Sequence, residues 1–256
     1  MPKTLAILNW LALLIMLSVN ALANILPING YNTGQVSAFY PNLFVPDGFT
    51  FSIWSVIYFL LIGFVVISTK WLWYKADAVP AQLAGKISPL FIISCLLNAG
   101  WIFTWHYLQV AASVIFMLLF LGTLINIYLQ LQQFRTFLSP LEKFFLYTPF
   151  VVYLGWISVA TIANITALLV QYKYEGSPLS AAGWSITMIL IASLLGMIFI
   201  WKRSDWAYAL VIVWALLGIY RGQGTQTPAI GYAALAGIVT PLLLGVLRLR
   251  PASPRS

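Results

Sequence analysis

The chain has 256 residues, of which 62% are hydrophobic and only 7% charged, and its formal net charge is +8. A soluble domain carries roughly 25% charged residues, so this chain lacks the polar groups needed to cover a surface in water. A spanning helix needs about 20 apolar residues. The composition therefore predicts an all-α, polytopic membrane bundle with no room for a sizeable soluble domain.

Eight apolar runs follow one another along the chain. They cover residues 5–25, 51–69, 88–106, 110–131, 144–171, 180–201, 206–220 and 229–247. The third and fourth runs are separated by a polar step from His106 to Gln109, which predicts a tight turn. We therefore expect about eight transmembrane helices.

Lysine and arginine lie between the apolar runs and form no basic patch, which argues against a nucleic-acid partner. If the N-terminus is cytoplasmic, 11 of the 13 basic residues are cytoplasmic, and only Lys173 and Arg221 are not. Cytoplasmic loops of membrane proteins carry such an excess of positive charge. The pattern predicts a multi-pass protein with both termini in the cytoplasm. The absence of a transit-like leader favours the cell membrane over an organelle membrane.

The first run has two interpretations. Lys3, an apolar stretch and the sequence ALA at 21–23 resemble a cleavable signal peptide. However, Asn20 and Asn24 lie four residues apart, on one face of a helix, as in a helix that stays and packs against others. The retained helix is the preferred interpretation.

The segment from Ile25 to Thr50 is rich in Asn, Gly, Pro and Tyr and carries one charge, Asp47. Its composition is too neutral for a solvated linker and too rich in helix breakers for a helix. We expect either a folded lid over the outer mouth of the bundle or an ordinary external loop.

Groups suited to catalysis are scarce. His106 is the only histidine, and we expect it at the membrane interface beside Trp105 rather than as a metal ligand. Cys95 is the only cysteine, so no intrachain disulfide can form. The five acidic residues all fall in loops or at helix ends: Asp47, Asp77, Glu142, Glu175 and Asp205. Coupled pumps usually bury ionisable residues in the bilayer, so we expect neither an enzyme nor a charge-driven pump.

Aromatic and amide residues recur at helical spacing in three of the predicted helices. Such stripes suit a cavity for a flat, largely apolar ligand. Aromatic residues also belt membrane interfaces, and amides also bond between helices, and spacing alone favours that interpretation. The stripes are Phe51, Trp54 and Tyr58; Asn98, Trp101 and Trp105; and Tyr153, Trp156, Ala160 and Asn164. Asn164 also begins a glycosylation sequon, but we expect it inside a helix.

The same stripes resemble the translocator protein family, also called tryptophan-rich sensory proteins or TspO/MBR. Residues 44–58, FVPDGFTFSIWSVIY, are similar to the segment leading into that family's second helix. Residues 97–103, LNAGWIF, resemble its third helix, and residues 153–164, YLGWISVATIAN, resemble its fifth. Phe44, Asp47 and Val152 depart from the family pattern. The resemblance covers about residues 5–172, so the chain is identified as a divergent, extended member.

The resemblance implies a five-helix bundle over residues 1–175, and the apolar runs predict three additional helices and a short basic tail over residues 176–256. It also implies a cavity for a tetrapyrrole or sterol-like molecule, often in a homodimer. No cofactor is required, and a porphyrin or haem is a ligand candidate. By matching positions, the lining residues would be Trp54, Tyr58, Asn98, Trp101, Tyr153, Trp156 and Asn164. Ala233 and Gly237 form a small-xxx-small pair that suits close helix packing or a dimer.

Three functions remain open at this point. The first is a membrane sensor or translocator that binds a hydrophobic ligand in the first five helices. The second is a transporter of a neutral or weakly polar solute, with the last three helices completing the path. The third, an enzyme acting on a lipid-soluble substrate, has the least support from the residues.

Overall fold

The computed structural model describes residues 2–74, 78–173 and 179–249, which form helices joined by turns, with no strand among them. The helices group into two compact units. The first unit comprises Met1–Pro41 and Ser52–Lys173, and the second comprises Asn42–Phe51 and Tyr174–Ser256. Some charged residues used in the sequence analysis lie outside the described part of the chain: Lys75, Asp77, Glu175, Arg250 and Arg255.

Eight long helices correspond to the eight apolar runs. The helices of the first unit are α1 (Pro2–Ile25), α2 (Thr33–Ala38), α3 (Ile53–Tyr74), α4 (Val79–His106), α5 (Val110–Phe134), α6 (Pro140–Glu142) and α7 (Thr148–Gln171). The second unit contains α8 (Ala181–Ile198), α9 (Trp206–Gln223) and α10 (Pro228–Leu249). The predicted turn between the third and fourth runs is confirmed, with Leu108 at φ 58°.

Within the described residues, seven helices are long and apolar enough to cross a membrane. The predicted polytopic helical bundle is thereby confirmed, and the predicted count of about eight is close. The helix outside the seven is α9, whose sequence contains tyrosine, tryptophan, glycine and Arg221. Its 18 residues span about 27 Å, close to the roughly 30 Å hydrocarbon core. The cytoplasmic location of both termini stays a prediction.

Helices α1 and α4 run parallel in the first unit. The Asn9 amide donates to Ser88 Oγ at 2.8 Å, and the Asn20 amide donates to Asn98 Oδ1 at 2.6 Å. These partners are 79 and 78 positions apart, so the two helices keep one register over three turns. Asn20 is thus a contact between helices, and retention of the first helix stays a prediction.

Basic side chains of the first unit gather at one end of it. The Lys3 ammonium lies 5.7 Å from the ring centre of Trp73, and the Lys86 ammonium lies 4.9 Å from that of Phe134. These pairs join the start of α1 to the end of α3, and the start of α4 to the end of α5. Since α1 and α4 are parallel, both pairs lie at the same end of the unit, which is the end that the sequence analysis predicts to be cytoplasmic.

Helix α7 is the most enclosed helix of the first unit, because every residue from 149 to 159 is buried. It follows a π-helical turn, Lys143–Tyr147, that directs Phe145 against Gly63 of α3. A Cβ at Gly63 would overlap that ring. The glycine therefore permits a close approach between α3 and the start of α7.

The segment between α1 and α3 is more ordered than its composition predicts. The expectation that it is too broken for a helix is wrong, since Thr33–Ala38 is helical. A capping box explains this helix: Asn32 Oδ1 accepts from the Gln35 amide, and Gln35 Oε1 accepts from the Asn32 amide, both at 2.9 Å. Further on, Gly48–Ser52 forms a 3₁₀ turn that leads directly into α3.

In the second unit, α8, α9 and α10 pack against one another. Gly237 of α10 is buried against Leu216 of α9 and Ile189 of α8, and Ser193 donates to its carbonyl oxygen at 3.1 Å. The predicted small-xxx-small pair is thus used, at Gly237, for packing inside this unit.

Candidate functional site

Four predicted aromatic residues meet in the first unit, where α3 faces α7. Trp54 and Tyr58 stack with ring centres 5.6 Å apart. The Trp54 ring also lies edge-on to Tyr153 at 5.9 Å and to Trp156 at 6.2 Å. Trp54 and Tyr58 are half-buried, whereas the two residues of α7 are buried. Together these four residues form what we call the aromatic cluster.

Asn98 links the aromatic cluster to α1. Its side-chain amide donates to the Tyr153 hydroxyl at 3.1 Å, and its Oδ1 accepts from Asn20. The Tyr153 hydroxyl in turn lies 3.8 Å from Met16 Sδ, while the Asn20 amide also donates to the Met16 carbonyl at 2.8 Å. Asn98 and Tyr153 are both 0% exposed. This network fixes α4 between α1 and α7 and sets the position of the Tyr153 ring.

The two remaining predicted residues form a second polar contact. Trp101 Nε1 donates to Asn164 Oδ1 at 3.0 Å, and the Asn164 amide donates to Ser113 Oγ at 2.9 Å. Each of the three side chains is buried. The contact therefore joins α4, α5 and α7, and it confirms that the sequon at Asn164 lies inside a helix.

The first half of the long loop packs on the C-terminal end of α4. Trp105 stacks against Trp101 at 6.2 Å, and Tyr40 packs on Trp105 at 5.6 Å. The indole of Trp105 donates to the Thr33 carbonyl at 3.4 Å. Burial raises the pKa of the Tyr40 hydroxyl above its usual value of 10.0, so this hydroxyl keeps its proton at neutral pH.

His106 closes the same end of α4. Its Nδ1 lies 2.8 Å from the Ile102 carbonyl oxygen, so Nδ1 carries the proton and donates. Nε2 then accepts from the Thr33 hydroxyl at 3.4 Å, and Asn29 donates to the His106 carbonyl at 3.0 Å. Nδ1 thus bonds within α4 and Nε2 bonds to the segment between α1 and α3, which agrees with a structural role for the histidine beside Trp105.

All seven predicted residues fall in the first unit, in two adjoining groups along α4. Trp54, Tyr58, Tyr153 and Trp156 contact one another directly, and Asn98 bonds to one of them. Trp101 and Asn164 contact each other. The sequence analysis did not include Met16, Asn20 or Ser113 in the site. The spacing of Asn20 and Asn24 gave the only signal for α1, because an apolar methionine and a lone serine carry none.

The aromatic cluster offers ring faces and an amide hydrogen bond from Asn98. Within the described residues, no group of three or more His, Cys, Asp or Glu side chains could hold a metal ion. The described acidic residues lie at the positions that the sequence predicts, namely a loop for Asp47 and helix ends for Glu142 and Asp205.

These features define a polytopic helical membrane protein whose first unit has a core of tryptophan, tyrosine and asparagine. The family model described as TSPO-like protein matches residues 6–247. The chain therefore belongs to the TSPO-like protein family. The matched range extends beyond residue 172 and includes the three helices of the second unit. Neither the search of curated proteins nor the search of solved structures gave a match.

Proposed function

We propose that this protein is a non-enzymatic membrane sensor or translocator that binds a flat, hydrophobic ligand, of tetrapyrrole or sterol type, at the aromatic cluster. The observation that carries the proposal is the convergence of three aromatic rings of α3 and α7 on the ring of Trp54. Rings with offset or edge-on geometry bind planar apolar molecules well, because they bury a large area at little conformational cost.

Different residues of the proposed site would have different roles. Trp54 and Tyr58 are the half-buried members, so their ring faces would contact the ligand first. Tyr153 and Trp156 would form the floor behind them. Asn98 accepts from Asn20 and donates to Tyr153, so it would hold the floor or exchange a hydrogen bond with a polar edge of the ligand. Trp101 and Asn164 would extend the site along α4.

Tryptophan fluorescence tests the proposal directly. The detergent-solubilised protein is titrated with protoporphyrin, haem and a sterol, together with the variants Trp156→Ala and Asn98→Ala. Loss of one aromatic contact of about 1.4 kcal/mol corresponds to a tenfold change in affinity. We expect saturable quenching by at least one compound, weakened roughly tenfold by Trp156→Ala.

Trp201→Ala is the matched control, because Trp201 is 59% exposed and lies in the second unit. It should remove fluorescence without changing the affinity. Equal affinities for Trp156→Ala and Trp201→Ala would contradict the assignment of the cluster. The absence of saturable quenching by all three compounds would refute binding of this ligand class.

A second candidate function is transport of a neutral or weakly polar solute. It is favoured by buried polar side chains along the interface of α1 and α4, at Asn9, Ser88, Asn20 and Asn98. Asn9 is 0% exposed, and among the described residues its Oδ1 has no hydrogen-bond donor. A passing solute with an N–H or O–H group would satisfy it. Uptake into proteoliposomes, compared between the natural protein and Asn9→Leu, would separate transport from binding alone.

A further inference from the structure

A short piece of the long first loop is fastened to α9 inside the second unit. We call this arrangement the clasp, defined as residues 47–50 together with Trp214, Gly218 and Arg221 of α9. The Asp47 amide donates to the Gly218 carbonyl at 3.0 Å, and Trp214 Nε1 donates to the Thr50 carbonyl at 2.9 Å. The backbone of the segment is thus bonded to α9 at both of its ends.

Charge and ring contacts reinforce the clasp. Arg221 Nε lies 3.1 Å from Asp47 Oδ2, and the Arg221 guanidinium lies 5.3 Å from the ring centre of Phe49. The other oxygen of the Asp47 carboxylate accepts from the Thr50 hydroxyl at 2.8 Å. Phe49 also packs on the Trp214 indole at 5.2 Å. One carboxylate therefore connects the arginine of α9 with the interior of the loop segment.

Two glycines make room for the segment. Gly218 and Gly222 lie four residues apart on α9, so they share one face of the helix. A Cβ at Gly218 would overlap the Thr50 side chain, and a Cβ at Gly222 would lie 3.2 Å from the Asp47 nitrogen. Thr50 itself is only 1% exposed. This small-xxx-small pair receives a loop backbone, where such pairs usually receive another helix.

The clasped segment is continuous with α3. The 3₁₀ turn Gly48–Ser52 leads directly into Ile53, and Trp54 follows Thr50 by only four residues. A helix end frays unless something holds it, and here the residues that precede α3 are held by α9. Helix α9, which follows residue 175, thus fixes the chain just before Trp54, the first residue of the proposed site.

We propose that Arg221 and Gly218 are positioning residues: through the clasp, α9 orders the first turns of α3 and thereby sets how fast a ligand leaves the aromatic cluster. The statement about ligand release rests on the proposed function, whereas the ordering of α3 does not.

Hydrogen exchange without ligand tests the ordering. Exchange is followed by mass spectrometry in peptides covering residues 42–51 and 52–58, in detergent. Gly218→Ala should speed exchange in both peptides by roughly tenfold, because overpacking of this kind is costly. Arg221→Ala should speed it about twofold to fivefold, since Arg221 is 55% exposed and the ion pair is screened. Arg221→Lys should restore part of the protection.

Two variants serve as controls. Gly122→Ala adds a Cβ in open space on α5, and Lys202→Ala removes an exposed cation of the second unit. Neither should change exchange in the two peptides. Faster exchange in residues 42–51 alone, with residues 52–58 unchanged, would overturn the proposal, because the clasp would then order the loop and not the first turns of α3.

The second experiment measures ligand release and uses the compound that quenches the tryptophan fluorescence of the natural protein. Gly218→Ala and Arg221→Ala should raise its dissociation rate, measured by stopped-flow fluorescence, by the same factors as the exchange in residues 52–58. Unchanged dissociation beside faster exchange would refute the control of release. If none of the three compounds binds the natural protein, the proposed function fails, while the exchange data still decide whether α9 orders α3.

Discussion

Replacing Asn98 by leucine should destabilise the first unit by about 1 kcal/mol. The substitution removes two interhelical hydrogen bonds, one from Asn20 and one to Tyr153. Interhelical hydrogen bonds in membranes contribute about 0.6 kcal/mol each on average. Asn20 and Tyr153 each lose one hydrogen-bond partner but keep another. The Asn20 amide still donates to the Met16 carbonyl, and the Tyr153 hydroxyl still faces Met16 Sδ. The loss should therefore stay well below the cost of an isolated buried polar group.

Reversible unfolding by sodium dodecyl sulfate in mixed micelles measures this change. A double-mutant cycle with Tyr153→Phe isolates the bond between the two residues, since that variant removes only the hydroxyl. We expect a coupling free energy of about 0.6 kcal/mol between the two substitutions.

Asn126→Leu is the matched control. Asn126 lies on the exposed face of α5, where its Oδ1 accepts from Gln130 of the same helix. Its replacement should leave the free energy of unfolding unchanged or slightly raise it. If Asn98→Leu and Asn126→Leu had equal effects, the hydrogen bonds of Asn98 would contribute nothing to the packing of α1, α4 and α7.

Three further predictions concern packing, the loop and the orientation of the chain. Gly63→Ala should cost about 1–3 kcal/mol in the same unfolding assay, because its Cβ meets the Phe145 ring, and Phe145→Leu should recover most of the loss; no recovery would contradict the contact. His106→Leu should speed hydrogen exchange in residues 28–36 by roughly fivefold to tenfold, since it removes the partner of Thr33; unchanged exchange there would refute the role of the histidine. A cysteine appended to the C-terminus should react with an impermeant maleimide only from the cytoplasmic side, whereas reaction from the outside would contradict the predicted cytoplasmic C-terminus.

Apolar runs predict the helices of this protein well, because a bilayer leaves the backbone few alternatives. The ends of the helices depart from the runs where polar residues still suit a helix. Helix α4 begins at Val79 rather than at residue 88, with Pro80 in its first turn. Lys86 is tolerated there because its ammonium reaches the ring of Phe134. The helix Thr33–Ala38 depends on a capping box, a signal that the loop composition concealed.

The sequence predicted part of the site, namely the residues that share one face of a single helix. Spacing within a helix places Trp54 with Tyr58 on one face, and the structure stacks them. Contacts between helices depend on register and rotation, which spacing within one helix does not contain. The Asn20–Asn98 bond requires α1 and α4 to be parallel with a particular offset. The pair of Asp47 and Arg221 joins residues 174 positions apart, and neither belongs to an apolar stripe.

The parallel register of α1 and α4 has a consequence for synthesis. Asn9 and Asn20 find their partners 79 and 78 residues further along the chain. At roughly 5–20 residues per second, the ribosome needs about 4–16 s to make that stretch. During this interval α1 is in the membrane before α4 exists. Asn20 can meanwhile bond to the Met16 carbonyl one turn back in its own helix. The Asn9 amide gains its partner, Ser88, only when α4 has been made. The first helix thus depends on the third spanning helix for the hydrogen bond of its Asn9 amide.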